Sequence, residues 1–129
     1  MNDSVLALLR DLVAIDSVNP SLVPGGAGEA GVADRVAAEL RRAGLDVVLR
    51  DVAPNRPNVV GIFRGTGGGR SLILNGHIDT VTIEPAGEWT RDPFGAELED
   101  RLMYGRGTSD MKGGLMAALM AMTYLHEAG

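Results

Sequence analysis

The stretch Leu72-Ile73-Leu74-Asn75-Gly76-His77-Ile78-Asp79-Thr80-Val81 decides the fold that we expect of this chain. Its three leading apolar residues, Leu72–Leu74, predict a strand that is covered on both faces, as the inner strands of an α/β sheet are. His77 and Asp79 are two positions apart, so on an extended backbone their side chains project to the same side. Open α/β sheets build their sites at the carboxyl ends of such strands. The stretch therefore predicts a buried strand that leads into a functional histidine and aspartate.

A second stretch, Gly105-Arg106-Gly107-Thr108-Ser109-Asp110-Met111-Lys112-Gly113-Gly114, supplies another carboxylate from a glycine-rich turn. Glycine allows close backbone approach, so the turn can bring Asp110 opposite His77. Imidazole nitrogen and carboxylate oxygen are ligands that a divalent ion such as zinc accepts. In two-metal hydrolases the ions lie about 3.5–4 Å apart, and a bridging carboxylate spans that gap. The two stretches together predict a metal site, with Asp110 either opposite His77 on one ion or bridging two ions.

Each of these residues also has a structural explanation. Backbone hydrogen bonds can satisfy a histidine at a strand end, and Asp79 could cap the turn that follows. Asp110 could be the acidic residue that a helix dipole favours in the first turn of the last helix. Lys112, the only lysine in the chain, could lie at the surface. Only the combination of the residues favours a metal site.

The composition indicates a single globular domain. The chain has 129 residues, of which 45% are hydrophobic and 22% charged, with a net charge of −5 and no cysteine. The lack of cysteine excludes disulfides, thiolate metal sites and a cysteine nucleophile. Net acidity without a basic cluster argues against nucleic acid and anionic membranes as partners. Neither a signal-peptide pattern nor an apolar run of about 20 residues occurs, so we expect a cytoplasmic protein.

The order of the elements is typical of an α/β fold. Apolar residues at helical spacing predict three helices, the first capped by Asn2, Asp3 or Ser4. The second, at Glu29–Ala43, is predicted to bury a stripe of Val32, Val36 and Leu40. The third, at Gly113–Ala128, is followed by Gly129 as its C′ residue and has Leu115, Leu119 and Met122 on one face, with Met116, Met120 and Met122 expected to fill the core. Strands are predicted at Asp46–Val52, Asn58–Arg64, Ser71–Asn75, Ala96–Glu99 and Arg101–Tyr104. This order predicts a mixed β-sheet sandwiched by helices.

Two further segments are predicted to be loops. Gly65-Thr66-Gly67-Gly68-Gly69 contains enough glycine for a phosphate-binding loop, but such a loop must open a helix and this one opens a predicted strand. A hairpin turn is the better interpretation. Thr82–Gly95 is polar and lacks periodicity, which indicates a surface or active-site loop.

Together, the two stretches resemble the M20 family of metallopeptidases. The resemblance is carried by Asn75–Val81 and Tyr104–Gly114, with the loop Trp89-Thr90-Arg91-Asp92-Pro93-Phe94 between them. It implies a zinc-peptidase-like catalytic domain, of which residues 1–129 would be the N-terminal part, without the lid and dimerisation domain. It also implies a metal-dependent amide hydrolase that removes an acyl group from an N-acyl amino acid or cleaves a small peptide. Acetylornithine deacetylase and succinyl-diaminopimelate desuccinylase are the types that we expect first.

The resemblance also implies a role for each matching residue. His77 matches a ligand of one zinc, and Asp110 matches the carboxylate that bridges both metals. Asp79 matches the catalytic residue that orients the site from behind His77, as a carboxylate hydrogen-bonded to a metal-binding histidine does. The implied cofactor is Zn²⁺, two ions in a complete site, with Co²⁺ as an alternative, and the Asp110–Met111 peptide bond is expected to be cis. Homodimer formation is implied only for the complete enzyme.

The chain departs from the family at a point that matters for catalysis. In the family a Glu-Glu pair supplies the general base and a metal ligand, whereas this chain has no adjacent glutamates. A general base contributes about 10²–10⁴ in rate, and a catalytic zinc usually has three protein ligands. We therefore expect that this chain is a truncated part of the enzyme and that it is close to inactive by itself. Because an incomplete sheet leaves edges and apolar faces uncovered, we also expect association or poor solubility.

Two other functions remain open. The chain could be a non-enzymatic fragment that keeps the fold and serves as a metal-binding or interaction module. Alternatively, it could be a small complete hydrolase that uses Glu84 or Glu88 from the loop as its base.

Overall fold

The computed structural model describes residues 3–128, which form three α-helices and four strands. The helices are α1 (Asp3–Ala14), α2 (Ala30–Arg42) and α3 (Gly113–Ala128). The strands are β1 (Asp46–Ala53), β2 (Arg56–Ile62), β3 (Glu97–Glu99) and β4 (Leu102–Tyr104). The predicted cap residue Asn2 and the predicted C′ residue Gly129 lie outside the described residues. Within residues 3–128, no helix has both the length and the apolar character needed to cross a membrane.

The core lies where the three helices meet. Leu12 and Val13 of α1 are completely buried. The stripe predicted for α2 is confirmed, because Val32, Val36 and Leu40 are at most 7% exposed. Burying one such aliphatic side chain contributes about 1.5–3 kcal/mol, so this apolar packing stabilises the contact between α1 and α2.

The buried face of α3 agrees with the prediction in part. Met116, Leu119 and Met120 point into the core, whereas Leu115 and Met122 are only partly buried at its margin. The helix is apolar on most of its surface, so periodicity alone left the direction of its buried face poorly determined.

Two antiparallel hairpins contain all four strands. In the first, β1 pairs with β2 from Asp46 opposite Ile62 as far as Ala53 opposite Arg56, and α2 packs against both strands. In the second, β3 pairs with β4, and Asp100 and Arg101 turn the chain with positive φ angles of 48° and 69°. Two successive residues of positive φ are typical of a tight hairpin turn whose twist matches its strands. The predicted strands Asp46–Val52, Asn58–Arg64, Ala96–Glu99 and Arg101–Tyr104 are confirmed, with boundaries shifted by one or two residues. The hairpin turn predicted at Gly65–Gly69 is wrong, because residues 71–75 form no strand.

The prediction of a strand at Ser71–Asn75 is wrong. Residues 71–79 belong to no strand, and Leu72 and Ile73 are 77% and 82% exposed. A strand is held by hydrogen bonds to a neighbouring strand, and no strand of residues 3–128 pairs along this segment. The segment is therefore uncovered rather than buried on both faces. The α/β class is retained, but the strands described here form two separate hairpins instead of one mixed sheet.

Candidate metal centre

Main-chain hydrogen bonds fix the position of the His-x-Asp segment. The N–H of Thr80 donates to the Ser17 oxygen, and the N–H of Asn19 donates to the Thr80 oxygen, both at 2.9 Å. These bonds form a parallel bridge between Val18 and Thr80. Asp79 is thereby held beside the segment that follows α1.

The glycine-rich turn places Asp110 on the opposite side of the same site. Gly107 has a φ of 86°, and a Cβ atom there would lie 2.9 Å from Cγ2 of Thr80 and 3.1 Å from Cδ of Lys112. Only glycine combines this left-handed backbone with such close neighbours. Asp110 itself has φ −129° and ψ 99°, which are not helical, and it precedes α3. It is therefore not the first-turn acid of a helix, and the expected cis bond between Asp110 and Met111 is confirmed.

Lys112 anchors this turn from within. Its side chain is buried, and its Nζ donates hydrogen bonds to the main-chain oxygens of Leu12 at 2.7 Å and Ile15 at 2.8 Å. Burial lowers the pKa of Lys112 to about 8, because desolvation disfavours the charged form. The interpretation of Lys112 as a surface residue is therefore wrong.

His77 lies between the two carboxylates. Its Nε2 is 2.8 Å from Oδ1 of Asp110, and its Nδ1 is 3.1 Å from both Oδ1 and the main-chain oxygen of Asp79. Partial burial acts to lower the pKa of His77, but the hydrogen bonds to Asp110 and Asp79 outweigh it, so the pKa is raised. Both ring nitrogens face hydrogen-bond acceptors, and this arrangement favours the protonated, positively charged imidazole of His77.

A cavity of about 90 Å³ opens over this group and is lined by His77, Asp79, Thr80, Val81, Arg106 and Asp110. Sequence reasoning did not assign a role to Arg106, which is the only arginine or lysine of the lining. Its guanidinium lies 5.0 Å from the centre of the Trp89 ring, and the main-chain N–H of Arg106 donates to the main-chain oxygen of Pro93 at 2.6 Å. The position of Arg106 within the second motif was the signal that could have identified it. Neither Glu84 nor Glu88 is among the residues that line the cavity.

The chemistry of the donor atoms fits a zinc ion in part. One imidazole nitrogen and one carboxylate oxygen converge, and both are accepted by zinc. Among residues 3–128, however, no group of three or more histidine, cysteine, aspartate or glutamate side chains is arranged to hold a metal. The described residues therefore offer two ligands, fewer than the three that a catalytic zinc site usually takes from protein.

Comparison with known proteins shows what this chain is similar to. The model of peptidase family M20/M25/M40 matches residues 73–129. An N-formyl-4-amino-5-aminomethyl-2-methylpyrimidine deformylase of Halalkalibacterium halodurans is 40% identical over 96% of the chain. A succinyl-diaminopimelate desuccinylase of Methylocella silvestris is 37% identical over 98% of the chain. The chain is similar to peptidase family M20/M25/M40.

Solved structures of M20 enzymes share this fold. The M20 family metallo-carboxypeptidase Sso-CP2 from Sulfolobus solfataricus superposes with a TM-score of 0.83 over 99% of the chain, at 28% identity. Human carnosine dipeptidase 1 gives a TM-score of 0.82 over 98% of the chain, and at 23% identity it supports the fold alone. These matches confirm the M20 resemblance and the α/β class, and the named relatives are hydrolytic enzymes. The chain spans 29% and 31% of the lengths of the deformylase and the desuccinylase.

Proposed function

We propose that residues 1–129 form the N-terminal part of the catalytic domain of a zinc-dependent amide hydrolase. In this proposal His77 and Asp110 are metal ligands, and Asp79 is the catalytic residue that orients His77. One observation carries the proposal: Nε2 of His77 lies 2.8 Å from Oδ1 of Asp110, although the residues are 33 positions apart. Two donor atoms of the types that zinc prefers are thus directed at one point.

Asp79 and Asp110 have different tasks in this site. Asp79 accepts a hydrogen bond from Nδ1 of His77, which fixes the ring and leaves Nε2 as the nitrogen for the metal. The side chain of Asp110 is 86% exposed, so its carboxylate remains accessible to a second ion. The Asp110 side chain therefore suits the bridging role that the family resemblance implies.

The substrate class follows from the relatives and the site together. When bound, the metal supplies Lewis-acid polarisation of the amide carbonyl and an activated water. The deformylase and the desuccinylase are named for removing formyl and succinyl groups. We therefore propose a small N-acylated amino acid or peptide as the substrate, cleaved to a carboxylate and an amine.

The proposed site is incomplete within these residues. Two converging ligands and a cavity lining without glutamate leave the general base and the further ligands to be supplied by other residues. The relatives are more than three times as long as the aligned region, which leaves ample chain for them and for a lid and dimerisation domain. We propose that the 129-residue chain alone is inactive and that dimerisation belongs to the complete enzyme.

Zinc titration followed by calorimetry tests the ligand assignment. We expect the wild-type protein to bind zinc, and His77→Ala and Asp110→Ala to abolish binding, because each removes one of two converging donor atoms. His126→Ala is the matched control, since His126 is the other histidine of the chain and packs against Phe63. Undiminished binding by His77→Ala would contradict the assignment.

Hydrolysis assays separate the proposed function from its rivals. We expect the zinc-loaded 129-residue chain to release no acid from N-acetyl or N-succinyl amino acids, because its cavity lining contains no glutamate base. Turnover by this chain would favour a small complete hydrolase instead. A protein that binds no zinc and hydrolyses nothing would support the non-enzymatic module.

A further inference from the structure

Asn19 lies at the junction between α1 and the proposed metal site. Its main-chain N–H donates to the Thr80 oxygen at 2.9 Å, which places its side chain next to Asp79. Its Nδ2 then donates to Oδ2 of Asp79 at 2.7 Å. Sixty positions of sequence separate the two residues, and both are partly buried.

The direction of this hydrogen bond is fixed by a second contact. Oδ1 of Asn19 accepts a hydrogen bond from the main-chain N–H of Ser21 at 2.8 Å. A main-chain N–H can only donate, so the atom facing it must be the amide oxygen. The amide nitrogen of Asn19 therefore faces the carboxylate, and a rotated amide would place oxygen against oxygen.

Both oxygens of Asp79 are consequently engaged. Oδ2 accepts from Asn19, and Oδ1 faces Nδ1 of His77 at 3.1 Å. A carboxylate held at both oxygens cannot rotate about its terminal bond without losing one hydrogen bond. A further hydrogen bond joins Nε2 of His77 to Asp110, so Asn19, Asp79, His77 and Asp110 form one continuous hydrogen-bond network in that order.

We infer that Asn19 is a positioning residue, which holds Asp79 so that the His77 ring stays aligned for the metal. The inference rests on the proposed function, in which His77 is a ligand. Residues that support a metal-binding histidine from behind typically change metal affinity by about 10- to 100-fold when they are replaced.

A double-mutant cycle on zinc affinity tests the inference. Asn19→Ser keeps a hydroxyl oxygen for the Ser21 N–H but is too short to reach Asp79. We expect Asn19→Ser to weaken zinc binding about tenfold in the wild-type background. In an Asp79→Ala background it should have no effect, because no carboxylate remains to be held. Equal losses in both backgrounds would overturn the positioning role and indicate an effect on the turn alone.

Ser21→Ala is the matched control. It removes the hydroxyl that accepts a hydrogen bond from Arg56 but keeps the main-chain N–H that Asn19 uses. We expect its zinc affinity to equal that of the wild type.

A readout in metal-free protein keeps the inference separate from the proposed function. We expect the ring nitrogen NMR signals of His77 to shift in Asn19→Ser and to stay unchanged in Ser21→Ala. Unchanged signals in Asn19→Ser would contradict the positioning role even if zinc binds. Failure of the wild-type protein to bind zinc would contradict the proposed function instead.

Discussion

Nζ of Lys112 donates a 2.7 Å hydrogen bond to the main-chain oxygen of Leu12, 100 positions earlier in the chain. A second bond, at 2.8 Å, goes to the oxygen of Ile15. The last carbonyl groups of a helix lack partners within it and carry the negative end of its dipole. The buried ammonium group of Lys112 donates hydrogen bonds to these carbonyl groups and places a positive charge at the negative end of the α1 dipole. It also connects the turn that carries Asp110 to α1.

Replacing Lys112 should destabilise the protein. Lys112→Met fills a similar volume but leaves the oxygens of Leu12 and Ile15 without this donor, and an unsatisfied buried polar group costs about 1–3 kcal/mol. We expect a loss of at least about 2 kcal/mol in the free energy of unfolding, measured by urea denaturation. Arg70→Met, at an exposed cation, should change the stability by less than about 0.5 kcal/mol. A similar small change for Lys112→Met would contradict the anchoring role.

Gly107 is required for two reasons that can be separated. Gly107→Ala adds a methyl group 2.9 Å from Cγ2 of Thr80 and forces alanine into a φ of 86°. Gly68→Ala shares the positive φ, at 75°, but meets nothing within 4 Å. We expect Gly68→Ala to cost about 1 kcal/mol, from backbone strain alone. Gly107→Ala should lower the stability clearly more in thermal unfolding, and it should also weaken zinc binding. Equal losses of stability in the two variants would show that crowding at Thr80 has no effect.

Glu39 should make stability depend on acid pH. Hydrogen bonds from Arg42 and Arg35 lower the pKa of Glu39 and outweigh the burial that acts to raise it. The folded protein therefore binds this proton more weakly than the unfolded chain does. The stabilisation is present above the ordinary pKa of 4.5 and is lost as the pH falls through the lower, folded value.

The Glu39 prediction is checked by urea unfolding at a series of pH values. Glu39→Gln should be less stable than the wild type at neutral pH, and the difference should shrink in acid. Glu88→Gln, at an exposed loop position, is the control and should follow the wild-type pH profile. If Glu39→Gln were less stable than the wild type by the same amount at every pH, the pH dependence could not be assigned to Glu39.

The exposed segment Leu72–Leu74 should cause association. Leu72 and Ile73 are 77% and 82% exposed, and contiguous apolar surface of this kind favours contact between copies. We expect Ile73→Glu to reduce self-association in analytical ultracentrifugation without changing the circular dichroism spectrum. Leu22→Glu, at a separate residue that is 60% exposed, should leave association unchanged. A wild-type protein that is already a monodisperse monomer would contradict this prediction.

Local patterns predicted the helices and four of the five strands well, because their periodicity and turn residues lie within a few positions of one another. The apolar stripe of α2 and the positions of β1 and β2 are examples. The prediction failed for Ser71–Asn75, where a run of apolar residues indicated burial. Burial depends on which other elements cover a segment, and a run of side chains does not contain that information.

The sequence by itself determined the family resemblance and the types of side chain at the proposed site, because two short motifs around His77 and Asp110 contain both. Only the tertiary structure decided that these side chains meet at 2.8 Å, that Lys112 is buried, and that Asn19 holds Asp79. The physical reason is distance along the chain. These contacts join residues 33 to 100 positions apart, so they exist only after the helices and the turn have packed together.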